Sequence, residues 1–119
     1  MRQVLLIEDD AWQAEMIERQ LSHYGFTVMV VHNALDAFAA IDAKMPVAIV
    51  LDMMLPGPNG MTFLHELQSH SDLASLPVIV CSTQSLALES LRPYGVEVVL
   101  DKTTMETDDI AVAVRKVLA

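Results

Sequence analysis

The sequence predicts an α/β domain, a parallel sheet with helices packed on both sides. Three observations carry this. Short apolar runs alternate with stretches whose apolar residues recur at spacings of three and four, and the alternation repeats five times. The central run, 47–51 (VAIVL), holds no charge and is bounded by turn residues, which marks a strand buried on both faces. Polar, chemically capable residues follow the apolar runs directly, at the strand ends where open parallel sheets bind ligands.

In chain order, residues 3–7 (QVLLI) form the first strand, and Asp10 is placed to cap the helix that follows. That helix covers about 11–24 and stops at Gly25. Ala14, Ile17, Leu21 and Tyr24 give it one buried face, with Met16 on the border. Trp12 lies near the strand ends, where partial core burial is the expected role and flanking the site is the alternative. Residues 26–31 form the second strand, and Asn33 caps a helix over 34–43 that carries Leu35, Phe38, Ala39 and Ile41. The central strand ends at Asp52 and runs into Pro56, Gly57, Pro58, Asn59 and Gly60. A helix over 61–69 buries Phe63, Leu64 and Leu67, and a strand follows over 78–81. The stretch 84–94 holds Leu86, Leu88 and Leu91 but ends in Arg92-Pro93, so its helix is short or irregular. A last strand over 96–100 leads to a helix over about 104–118 with Ile110, Ala113, Val114 and Val117 inward. Thr103 and Glu106 have capping-box spacing, and Thr104 is an equal candidate for the cap.

At 119 residues the chain is expected to be one domain, 1–119. Its net charge of −9, from 7 basic and 16 acidic residues, speaks against direct nucleic-acid binding, which needs a basic face. The apolar runs are too short to span a bilayer, and MRQVLLIEDD lacks a cleavable-signal pattern. One cysteine, Cys81, forms no internal disulfide, and a small core residue is its expected role. The expected location is cytoplasmic, with no membrane partner.

Four strand ends bring chemistry to one edge: Glu8, Asp9 and Asp10; Asp52; Ser82 and Thr83; Asp101 and Lys102. Several carboxylates on one edge repel, and a small hard cation relieves that. Mg²⁺ takes oxygen ligands from one or two carboxylates and completes its shell with water and phosphate. A lysine and a hydroxyl beside it suit a phosphoryl group. Asp10 reads better as a helix cap than as a ligand. The histidines at 23, 32, 65 and 70 lack metal spacing and read as surface residues.

The pieces VLLIEDD (4–10), IVLDMMLPGPNG (49–60), LPVIVCST (76–83) and GVEVVLDK (95–102) carry a resemblance across essentially the whole chain. It resembles the receiver domain of bacterial two-component response regulators, the CheY-like group. The resemblance implies a (βα)5 doubly wound, flavodoxin-like sheet of strand order 2-1-3-4-5. It implies that Asp52 accepts a phosphoryl group and that Mg²⁺ is held by Asp9, Asp52 and the backbone carbonyl of Met54, with Glu8 acting mostly through water. Lys102 would pair with a phosphoryl oxygen and Ser82 would report its presence. The donor would be a phosphohistidine on a sensor histidine kinase or a histidine phosphotransfer protein. The output would go to a downstream protein or to an output domain outside these residues. No dedicated enzyme activity is implied beyond self-phosphotransfer and slow autodephosphorylation.

The departures from the family pattern concern switching. Thr83 stands where Ala or Gly is usual, Thr103 where proline is usual, and Val99 where an aromatic residue commonly reports the switch. Met54 and Gln84 occupy places that tune phosphoryl lifetime in the family. These departures support an alternative, a phosphorylation-independent receiver acting as a protein-binding module. A flavodoxin-like cofactor binder fits less well, because an acidic strand edge repels phosphate and no Gly-rich or Ser/Thr-rich loop follows the first strand.

Overall fold

In the computed structural model, which describes residues 2–54 and 59–119, the chain alternates strand and helix as expected. The elements are β1 (Gln3–Ile7), α1 (Ala11–His23), β2 (Thr27–Val31), α2 (Ala34–Ala43), β3 (Ala48–Asp52), α3 (Gly60–Ser69), β4 (Val78–Ser82), α4 (Leu88–Leu91), β5 (Val96–Asp101) and α5 (Asp109–Val117). A single 3-10 turn, Arg92–Tyr94, follows α4. The five strands pair in parallel in the order β2-β1-β3-β4-β5. Of the loop residues expected after Asp52, Pro56, Gly57 and Pro58 lie outside the described residues.

Alternation along each strand divides the core in two. Leu5, Ile7, Ile49, Leu51, Val78 and Val80 face one side, where Phe63, Leu64 and Leu67 of α3 and Ala37 and Ile41 of α2 cover them. Val4, Leu6, Ala48, Val50, Ile79 and Cys81 face the other, covered by Ala14, Ile17 and Leu21 of α1 and by Ile110, Ala111 and Val114 of α5. Every residue of β3 and β4 is buried, because helices cover both faces of the central strands.

The caps form where the sequence places them. The Asp10 side chain accepts from the N–H groups of Trp12 and Gln13 at the start of α1, and Asn33 accepts from Asp36 N–H at the start of α2. Asn59 caps α3 by accepting from Thr62 N–H.

Four expectations are corrected. The last helix begins at Asp109, five residues later than about 104. The capping box at Thr103 and Glu106 does not form, because the Asp101 carboxylate takes both the N–H and the hydroxyl of Thr103. The Asp101 carbonyl also accepts from Thr104 and Met105, so the chain closes into turns before it can start a helix. Trp12 is 72% exposed and takes no part in the core. On α2 the buried face is Ala34, Ala37, Ala40 and Ile41, while Leu35 is turned outward. The small alanines allow α2 to approach β1 and β2 closely, and Phe38 stacks instead on Phe63 at 5.0 Å between ring centres.

The stretch after β4 is short and irregular, as its Arg92-Pro93 pair implies. α4 is one turn, and Gly95 ends the following 3-10 turn in the left-handed region at φ 83°.

Gly60 opens α3 directly against the site. A Cβ there would lie 2.8 Å from Met53 Cα, a clash with backbone one residue past Asp52. Gly60→Ala is expected to destabilise the fold by about 1–3 kcal/mol, as other small-to-large changes at tight contacts do. A lower urea midpoint with an unchanged slope would show it, and a midpoint equal to wild type would refute the contact.

Candidate functional site

Strand register assembles the site. Ile7 pairs with Leu51 across β1 and β3, so Glu8 and Asp52, each one residue further on, emerge side by side. Asp52 pairs with Cys81 of β4, and Ser82 pairs with Asp101 of β5. Lys102 follows at the next position, where its N–H donates to the Ser82 carbonyl at 2.8 Å.

Glu8 is 1% exposed and Asp52 5% exposed, while Asp9 stands at the surface. The Lys102 ammonium reaches in to lie 2.7 Å from Glu8 Oε1 and 3.3 Å from Asp52 Oδ2. Asp52 Oδ1 accepts from Met54 N–H at 3.0 Å. One oxygen each of Glu8, Asp9 and Asp52 lies within 4.8 Å of the others. Ligand oxygens on a magnesium ion lie at most about 4.2 Å apart, so the three stand near ligating spacing. Hard anionic oxygens, two of them buried and facing a single ammonium, suit a divalent cation.

The pKa values of the two buried acids are pushed in opposite directions. Burial pushes the Glu8 carboxyl up to about 7, and its hydrogen bond to Asp52 adds to the rise, against the pull of Lys102. Burial also raises Asp52, but hydrogen bonds from Glu8 and from Met54 N–H, together with Lys102, outweigh it and hold Asp52 below the usual carboxylate range. The environment thus makes Glu8 the weaker acid and Asp52 the stronger. For Lys102, burial alone favours the neutral form, but Glu8 and Asp52 overcome it and raise its pKa.

Residues 4–115 match the family model described as "Response regulator receiver domain". The chain belongs to the response regulator receiver domain family. Transcriptional regulatory protein GltR of Pseudomonas aeruginosa is 33% identical to this receiver over 84% of the chain, and the match covers 40% of GltR. The chain spans about half, or less, of the curated relatives it matches. Chemotaxis protein CheY4 of Vibrio cholerae has the same fold, with a TM-score of 0.88 at 18% identity over 98% of both chains. So does response regulator TrrA of Thermotoga maritima, in complex with Mg(2+)-BeF, with a TM-score of 0.83 at 18% identity over 98% of both chains. The receiver thus belongs to two-component signalling. Among its described residues, no helix is long and apolar enough to cross a membrane.

The structure of the receiver brings Glu8, Asp9, Asp52 and Lys102 together. Ser82 is buried one step beyond Cys81, and its Oγ accepts from Gln84 N–H at 3.0 Å. Thr83 and Gln84 stand exposed, so the bulk of Thr83 is directed away from the packed core. Val99 is half-buried against the side covered by α2 and α3. Cys81 is a core residue, its thiol pushed up to about 12 by burial.

Two residues at the site escape the sequence reading. His32 stands exposed, but its Nδ1–H donates to the Glu8 carbonyl at 2.8 Å, tying the end of β2 to the acid-bearing end of β1. Gln13 Oε1 accepts from Lys102 Nζ at 2.9 Å. Only the cap at Asp10, which fixes the first turn of α1, hints that Gln13 faces the strand ends.

Glu8 makes stability depend on pH. Its folded carboxyl titrates near 7 against an ordinary 4.5, so between these values the folded chain binds more proton than the unfolded chain. The contribution is complete below pH 4.5 and is lost as pH rises to about 7, a loss of about 3 kcal/mol at about 1.4 kcal/mol per pH unit. Unfolding of the metal-free protein between pH 5 and 8 is expected to show wild type losing stability relative to Glu8→Gln. Parallel pH profiles would contradict the shift.

Proposed function

We propose that Asp52 accepts a phosphoryl group from a phosphohistidine of a sensor histidine kinase or a histidine phosphotransfer protein, in a Mg²⁺-dependent step. We also propose that residues 1–119 act as one receiver domain. The observation that carries this reading is the placement of Asp52, buried with one oxygen within 4.8 Å of oxygens of Glu8 and Asp9 and another 3.3 Å from the Lys102 ammonium. A carboxylate that its neighbours hold below the usual carboxylate range is an available nucleophile.

In the step, an Asp52 oxygen bonds to phosphorus as the phosphorus–nitrogen bond breaks, and the bonding pair leaves with the imidazole nitrogen. Oδ1 is oriented by Met54 N–H and Oδ2 faces Lys102. Lys102 would follow the charge from Asp52 to a phosphoryl oxygen, keeping a charge-assisted contact throughout. Asp9, Asp52 and the Met54 carbonyl would hold Mg²⁺, with Glu8 beside them. The cation would supply neutralisation of the charge that otherwise repels the incoming phosphoryl group. Ser82 would exchange its bond from Gln84 N–H for one to the phosphoryl group, moving the loop after β4. The phosphoryl group carries about −1.5 to −2 charge, enough to reorder such a loop. The Mg(2+)-BeF bound to TrrA fits this chemistry.

The one-turn α4 and the half-buried Val99 favour a second reading, a receiver that binds its partner without phosphorylation. Intact mass after incubation with acetyl phosphate and Mg²⁺ separates the two. The expected result is a gain of one phosphoryl group, abolished by Asp52→Asn and by chelator. No gain, together with no binding of beryllofluoride, would favour the second reading.

A further inference from the structure

The Lys102 ammonium carries three protons and meets three acceptors: Glu8 Oε1 at 2.7 Å, Gln13 Oε1 at 2.9 Å and Asp52 Oδ2 at 3.3 Å. Two of these acceptors are the acids of the site. The third comes from the first turn of α1, 89 residues away in sequence. Gln13's backbone is itself fixed, since its N–H donates to the Asp10 cap at 3.1 Å. A glutamine on an exposed stretch of helix ordinarily contacts water. This one instead bonds a lysine whose side chain is only 9% exposed.

We propose that Gln13 is a positioning residue, which holds the Lys102 ammonium over Asp52 through a neutral acceptor. The proposal rests on the phosphotransfer reading above. During that chemistry, Glu8 and Asp52 both give up part of their hold on Lys102, one toward the cation and the other as its charge passes to the phosphoryl group. An amide carbonyl is not drawn off in this way. It is also uncharged, so it anchors the ammonium without pulling it from a phosphoryl oxygen as a carboxylate would. An apolar side chain at 13 releases Lys102, and an acid at 13 holds it back.

The test uses Gln13→Met and Gln13→Glu. Met matches Gln in length and in helix propensity, and the site is exposed, so the fold is expected to stay intact. In the metal-free protein, the Lys102 ammonium is followed by ¹⁵N NMR. Its protons are expected to exchange about tenfold faster with water in Gln13→Met, the factor carried by one hydrogen bond to a charged group. In Gln13→Glu the exchange is expected to stay slow. With acetyl phosphate and Mg²⁺, both variants are expected to acquire the phosphoryl group about tenfold more slowly, with Mg²⁺ affinity within about twofold of wild type. Wild-type exchange and wild-type phosphorylation in Gln13→Met would overturn the proposal. If wild type itself takes no phosphoryl group while the ammonium signal still responds to Gln13→Met, the positioning contact stands and the phosphotransfer reading fails.

Discussion

One ammonium facing two buried carboxylates is the constraint on which this molecule depends. Lys102 neutralises at most one of Glu8 and Asp52, and the pair is pushed apart in acidity, Glu8 up and Asp52 down. Taking charges out of water costs several kcal/mol each, and an ion pair recovers that cost only with good geometry and further hydrogen bonds. The further bonds are present. Met54 N–H serves Asp52, Gln13 serves Lys102, and His32 grips the carbonyl of Glu8. The cluster is thus held firmly while remaining short of positive charge.

The fold supplies what the cluster requires. Parallel pairing brings the carboxyl ends of β1, β3, β4 and β5 to one edge, and the register sets Glu8 beside Asp52 and Lys102 just past Ser82. The two apolar layers make the central strands rigid on both faces. After β4 the chain reaches β5 through the one-turn α4 and the 3-10 turn that follows it.

Much of this was legible in the sequence, for local reasons. Strands 3–7 and 78–81 and the helix over 34–43 follow from hydrophobic period and from caps at Asp10 and Asn33, each of which depends on neighbours a few residues away. The acids and Lys102 were legible because each directly follows an apolar strand. What failed depends on competition or on distance. Thr103 was a sound cap candidate by spacing, but Asp101 lies closer and captures it first. Trp12 and Leu35 are apolar residues whose exposure is decided by how their helices rotate against the sheet. Gln13 and His32 reach the site through contacts spanning 89 and 24 residues, which no local spacing encodes.

The acid triad of Glu8, Asp9 and Asp52 could hold a divalent cation. A calorimetric Mg²⁺ titration of wild type and Asp9→Ala tests it most directly, because Asp9 is the exposed member and its loss leaves the buried pair in place. One saturable site is expected in wild type, and its loss in Asp9→Ala. No saturable binding in wild type, or the same binding in both proteins, would contradict it.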